Sequence, residues 1–134
     1  NISWGDFMPC PNIDKCARIY SININGLGTR HTSSGSTIDE GAIAILHQQI
    51  LSCDITVLGI SETNIHWHKD DVYSKIHTML QQGAQGTQLI PSCSPLLPNA
   101  RSLYQPGGTA LIISPSIAAR VHQRYKIAWD DGVE

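Results

Sequence analysis

Arg18-Ile-Tyr-Ser-Ile-Asn-Ile-Asn25 is the stretch that decides the fold, and Gly-Leu-Gly follows it directly. Its residues alternate with a period of two, which is typical of a half-buried β-strand. Apolar side chains occupy one face and short polar side chains the other: Tyr20, Ile22 and Ile24 against Ser21, Asn23 and Asn25. This pattern predicts a strand that ends in amide side chains and runs into a glycine turn.

A second strand is predicted from Asp54-Ile-Thr-Val-Leu-Gly-Ile-Ser-Glu62. It stays apolar until its last residues, and a continuous apolar run favours a central strand that is buried on both faces. Glu62 is the first carboxylate after this run.

A helix is predicted between these two strands. Thr37-Ile-Asp-Glu40 has the spacing of a capping box, with Thr37 as N-cap and Glu40 at the third helical position. An apolar stripe then follows at steps of three and four residues: Ile43, Leu46, Ile50 and Cys53. A strand, a helix and a second strand of the same sheet almost always form a right-handed parallel crossover.

The crossover predicts where the polar groups meet. If the two strands are parallel neighbours, Asn23, Asn25 and Glu62 lie at the same carboxyl edge, where open α/β sheets tend to bind ligands. A carboxylate beside amides suits a hard divalent cation with a phosphate next to it.

Three blocks of the chain resemble a known family. They are Ser-Ile-Asn-Ile-Asn-Gly-Leu at 21–27, Asp-Ile-Thr-Val-Leu-Gly-Ile-Ser-Glu-Thr-Asn at 54–64, and Gly-Gly-Thr-Ala-Leu-Ile-Ile-Ser at 107–114. In order and spacing they resemble the endonuclease/exonuclease/phosphatase superfamily, and within it the apurinic-type endonuclease domain of non-LTR (LINE-type) retrotransposons. The resemblance covers residues 18–128.

The resemblance implies an α/β fold, in part a four-layered α/β/β/α sandwich of the deoxyribonuclease kind. It implies that Asn23 orients the phosphate and that Glu62 binds Mg²⁺ or Mn²⁺ in a phosphodiester hydrolysis that nicks DNA. Asn25, Asn64 and His66 are then candidates for contact with the substrate. A single carboxylate binds Mg²⁺ weakly, so we expect weak metal binding.

The later motifs of the family, Asp-x-Asn and the terminal Ser-Asp-His, have no counterpart in this sequence. We therefore expect the amino-terminal, incomplete part of such a domain at 18–134. Residues 1–17 contain two prolines and predict an irregular leader. We expect little or no nuclease activity from this chain alone. The resemblance also implies a reverse transcriptase further downstream in a longer parent protein.

The 134 residues suffice for one domain with a real core. A net charge of −2 with nine Lys and Arg is less positive than is usual for a nucleic-acid binder. DNA as a partner therefore rests on the resemblance. No apolar run reaches transmembrane length, which argues against a membrane partner. The resemblance implies an intracellular and nuclear enzyme, although no basic targeting cluster is evident.

Two other functions stay open. One is a phosphatase or phosphodiesterase of the same superfamily that acts on a small phosphorylated molecule, and the other is a remnant without enzymatic activity.

The rest of the chain predicts a polar loop at 28–36, partly exposed aromatic rings at 66–68, and a helix that Asp70 or Asp71 caps. The apolar stripe of this helix is Val72, Ile76, Met79 and Leu80. Further strands are predicted at 87–92, 109–114 and 118–129.

Overall fold

The computed structural model describes residues 15–33, 35–94 and 103–120. Residues 1–14 of the leader predicted at 1–17 and most of the strand predicted at 118–129 lie outside these residues. Nine elements follow one another along the described chain: β1 Ile19–Asn23, β2 Thr29–Thr32, β3 Gly35–Ile38, α1 Glu40–Ser52, β4 Val57–Ser61, α2 Asp70–Gln81, β5 Gln88–Ser92, β6 Thr109–Ile113 and α3 Pro115–Ala118.

The main sheet has four strands in the order β1-β4-β6-β5. The strands β1 and β4 are parallel neighbours, as the crossover predicted, and Ile19 pairs with Val57 at one end of their register. The other two pairings, β4 with β6 and β6 with β5, are antiparallel. The fold is therefore mixed α/β with a mixed sheet, and β4 occupies the predicted central position.

One face of this sheet, called here the covered face, packs against α1 and α2. Its side chains share one apolar cluster with the helix stripes: Ile22, Leu58, Ile60, Leu89, Ala110 and Ile112 from the sheet, and Ile43, Leu46, Val72, Ile76 and Leu80 from the helices. The predicted stripe of α1 is confirmed, since Ile50 and Cys53 also pack against this cluster.

The opposite face, called here the far face, is where one prediction fails. We expected β4 to be buried on both sides, but only Leu58 and Ile60 are buried, whereas Val57, Gly59 and Ser61 are partly exposed. On the same face Ile19 is 76% exposed and Leu111 is 43% exposed. The apolar run of β4 thus contains more apolar surface than the two helices cover.

Helix α1 starts later than its capping box predicted. Its N-cap is Asp39, whose Oδ1 accepts hydrogen bonds from the backbone N–H of Gly41 at 3.0 Å and of Ala42 at 3.3 Å. Thr37 instead lies in β3, where it pairs with Arg30 of β2. The prediction of Thr37 as N-cap is wrong because backbone pairing in this hairpin takes the residues that the capping box needs.

The same hairpin replaces the polar loop that we expected at 28–36. It forms a separate two-stranded sheet, and the backbone N–H of Asp39 donates to the carbonyl of Gly28 at 2.7 Å. A Cβ at Gly28 would lie 2.8 Å from the Cβ of Asp39, so glycine is required for this close approach.

The later elements follow the sequence closely. The predicted stripe of α2 is buried at Val72, Ile76 and Leu80. The prediction of Asp70 or Asp71 as N-cap is wrong, because the N-cap is Lys69 and both carboxylates lie in the first helical turn. The edge strand β5 contains Pro91, in keeping with the confinement of proline to edge strands. The short helix α3 was not predicted, although Pro115 at its start is a favourable first helical residue.

Candidate functional site

The carboxyl edge shared by β1 and β4 brings the predicted site residues together. Asn23 is the register partner of Ser61, so Glu62 follows immediately on the neighbouring strand. Two backbone hydrogen bonds continue the pairing past the strand ends, from Ile24 N to Ser61 O at 3.3 Å and from Gly26 N to Glu62 O at 2.7 Å. Paired parallel strands lie about 5 Å apart, so Asn23 and Glu62 belong to one small area.

Asn23 is exposed, and one half of its side-chain amide is already engaged. Its Oδ1 accepts from the backbone N–H of Asn25 at 3.0 Å, which is the usual turn made by an asparagine at a strand end. This bond holds the carbonyl toward the turn and leaves the Nδ2 hydrogens as the available donors. The side chain is thereby oriented to donate to an incoming anion.

Glu62 is exposed and has a left-handed backbone, with φ of 55°. Asn25 and Asn64 share this conformation, with φ of 47° and 53°. A side chain other than glycine costs about 1–2 kcal/mol in this region, less for asparagine, so Glu62 is the strained member of the three. Strain of this kind clusters at functional sites.

Residues 62–67, called here the clamped segment, are bonded on both sides. Toward β1, the N–H of Leu27 donates to the carbonyl of Thr63 at 2.8 Å. On the other side, the N–H groups of Thr63 and Asn64 donate to the carbonyls of Gly108 at 3.1 Å and Gly107 at 2.8 Å. The strained backbone of Glu62 is held in place by these bonds.

Asn64 has a structural role within the clamp. Its Oδ1 accepts from the backbone N–H of Gly107 at 2.8 Å, which holds the loop after Glu62. The substrate contact proposed for Asn64 from the sequence stays a prediction.

A buried side-chain hydrogen bond stabilises the clamped segment. Trp67 Nε1 donates to Thr63 Oγ1 at 2.9 Å, and both side chains are buried. A Cβ at Gly108 would lie 2.8 Å from that same Oγ1, so Gly108 leaves room for it. Sequence reasoning missed this trio, and its one signal was the Gly107-Gly108 pair.

His66 and Trp67 are buried, so the expected rim of partly exposed rings is wrong at both. His66 is 3% exposed, because residues 64–66 pair with residues 103–105 and its backbone N–H donates to the carbonyl of Leu103 at 2.9 Å. Burial lowers the pKa of its imidazole, and no described residue bonds its Nδ1. Contact of His66 with a substrate stays a prediction, with very little accessible surface to make it. His68 is exposed and meets the His66 ring edge to face at 6.2 Å.

A row of small polar side chains crosses the far face beside Glu62. The register aligns one residue from each strand: Asn23, Ser61, Thr109 and Ser92. This row was not predicted, although each member lies at or next to the end of its strand in the sequence. It offers one amide and three hydroxyls as hydrogen-bonding groups next to the carboxylate.

The donor set allows one mode of metal binding. Among the described residues no group of three His, Cys, Asp or Glu side chains could hold an ion. Glu62 with neighbouring amides instead fits a cation such as Mg²⁺, which keeps several waters and takes further ligands from substrate phosphates. Binding at this edge would therefore be weak without a phosphate.

Comparisons with protein-family models, with curated proteins and with solved structures find no match to this chain. The described part of the chain contains no helix with the length and apolar character needed to cross a membrane.

Proposed function

We propose that this chain carries part of a divalent-metal-dependent phosphodiesterase site and that its substrate is DNA, as in the retrotransposon endonucleases that it resembles. The observation that carries the proposal is the in-register parallel pairing of β1 with β4. This pairing puts an amide donor and an exposed carboxylate at one sheet edge, within a row of hydroxyls.

The roles follow from the geometry. Asn23 donates from Nδ2 to a non-bridging phosphate oxygen, because its Oδ1 is already bonded to the Asn25 N–H. Glu62 holds Mg²⁺ or Mn²⁺, and the bound ion would neutralise charge that builds on the phosphate. The hydrogen bonds of the clamped segment fix the backbone at Glu62, so its carboxylate needs no rearrangement to reach the ion.

The finer architecture belongs to the same proposal. In an α/β/β/α sandwich, the far face would meet a second sheet, and the exposed Ile19 and Leu111 would lie in that contact. The polar row would then line the mouth between the two sheets.

The test is the position of a paramagnetic ion. Mn²⁺ added with a short DNA oligonucleotide should broaden the amide NMR signals of Gly26, Thr63 and Asn64, and Glu62→Gln should abolish the broadening. Asp54→Asn is the matched control, because Asp54 is also exposed, also has a left-handed backbone with φ of 51°, and precedes β4 instead of following it.

Broadening that persists in Glu62→Gln, or that centres on Asp54, would overturn the proposed site. Nicking of supercoiled plasmid that is lost in Glu62→Gln would support the site, and it would contradict the expectation that this chain alone has little activity.

A further inference from the structure

A small polar pocket adjoins the proposed phosphate site. Its volume is about 180 Å³, and its lining comes from the turn after β1, the clamped segment and one aromatic residue: Asn25, Gly26, Gly28, Thr29, Thr63, Asn64 and Tyr104. Tyr104, one of these lining residues, is 47% exposed overall. The two hollows beside α1 and β1 have a different character, since mainly apolar side chains line them.

Two hydrogen bonds connect the pocket to the site. The Asn25 N–H binds the side chain of Asn23 at 3.0 Å, and the Gly26 N–H binds the carbonyl of Glu62 at 2.7 Å. A group in the pocket is therefore one or two residues away from the side chains proposed to hold the phosphate. A nucleoside is attached directly to its phosphate, so a pocket next to the phosphate site is in the right place to receive it.

We propose that the pocket receives the sugar and base next to the bound phosphate, with the base stacked on the ring of Tyr104. The inference rests on the proposed function and narrows its substrate to a nucleic-acid strand with an accessible base. Aromatic rings stack on any base, and the amide and hydroxyl groups of Asn25, Thr29 and Asn64 suit a sugar or a base edge.

The charge of the chain gives the second argument. A protein with a net charge of −2 gains little from phosphate attraction alone. Binding to a strand must then draw on contacts with the base, and Tyr104 supplies an exposed aromatic ring beside the phosphate site. A small phosphate ester without a base would make no stacking contact with this ring.

The experiment measures the affinity of a fluorescein-labelled single-stranded hexanucleotide by anisotropy, with 2-aminopurine at one position to report stacking. Tyr104→Ala should weaken binding by about five-fold or more and remove the 2-aminopurine response, because the loss of one base stack has at least that effect. Tyr104→Phe should retain both. Tyr20→Ala is the control, since Tyr20 is also exposed but lines an apolar hollow.

Binding of the unchanged protein should weaken only slightly between about 50 and about 200 mM salt, in contrast to a basic binder. The inference is overturned if Tyr104→Ala binds as the unchanged protein does, if an abasic strand binds equally well, or if the unchanged protein does not bind the strand. Each result is separate from the Mn²⁺ test, because at a saturating oligonucleotide concentration Tyr104→Ala should still show the Mn²⁺ broadening, whereas Glu62→Gln should not.

Discussion

The two faces of the main sheet carry similar residues in different surroundings. Leu58 on the covered face and Leu111 on the far face lie on the adjacent strands β4 and β6, yet the first is 2% exposed and the second 43%. The covered face meets two helices, whereas the far face grades from apolar residues at one end to the polar row at the other. The difference separates residues that hold the fold together from residues that are available for contact.

The largest expected difference between the faces comes from the same truncation on each. Leu58→Ala should lower the free energy of unfolding by about 2–5 kcal/mol, because it leaves a cavity in the apolar cluster. Leu111→Ala should cost less than about 1 kcal/mol, since the side chain is partly in water already. Urea unfolding of both variants measures this, and equal losses would mean that the far face is as tightly packed as the covered face.

The glycine pair before β6 offers a second contrast. Alanine at either position costs about 1–2 kcal/mol, because φ is 79° at Gly107 and 81° at Gly108. Only Gly108→Ala also collides with Thr63 Oγ1, which should add about 1–3 kcal/mol, whereas the Cβ of Gly107→Ala meets nothing within 4 Å. Thermal unfolding compares the two variants. A smaller loss of stability in Gly108→Ala than in Gly107→Ala would show that Thr63 moves aside at little cost.

The buried histidines make stability depend on pH. Burial lowers the pKa of His47 and of His66 below the ordinary value of 6.5, so the unfolded chain binds protons more readily than the folded chain. Stability from these groups is fully present above pH 6.5 and is lost as the pH falls below that value. Urea midpoints across this range should therefore drop on the acid side.

His66→Gln should reduce this pH dependence, because it removes one of the two buried imidazoles whose pKa is lowered. An identical slope in His66→Gln and the unchanged protein would place the titration elsewhere.

The smallest effect is expected at Glu62 itself. Glu62→Gly should raise the free energy of unfolding by at most about 1 kcal/mol, because glycine adopts the left-handed backbone without strain. The same change should abolish Mn²⁺ broadening at the site. Loss of stability in Glu62→Gly would show that favourable contacts within the protein hold the carboxylate. That result would contradict its proposed role as an accessible metal ligand.

Much of this architecture follows from local patterns. The alternation in β1, the stripe of α1 and the apolar run of β4 predicted the three elements that bring Asn23 and Glu62 to one edge, and the parallel register confirms that placement. These signals are reliable because side-chain periodicity depends only on the geometry of each element. The carboxyl edge was predictable for the same reason.

Other features depended on backbone pairing between segments, which is short-range in the β2–β3 hairpin and long-range between residues 64–66 and 103–105. Pairing of β2 with β3 moved the N-cap of α1 from Thr37 to Asp39, and pairing of 64–66 with 103–105 buried His66. The polar row exists only because the register aligns Asn23, Ser61, Thr109 and Ser92.

The sequence by itself therefore determined the type of each main element, the faces they present, and the edge where the candidate groups meet. Tertiary structure decided which loop residues become strand, which polar side chains are buried, and which stay available to a ligand. The physical reason is that side-chain periodicity belongs to each element alone, whereas backbone hydrogen bonds between paired segments compete with caps and turns and can override them.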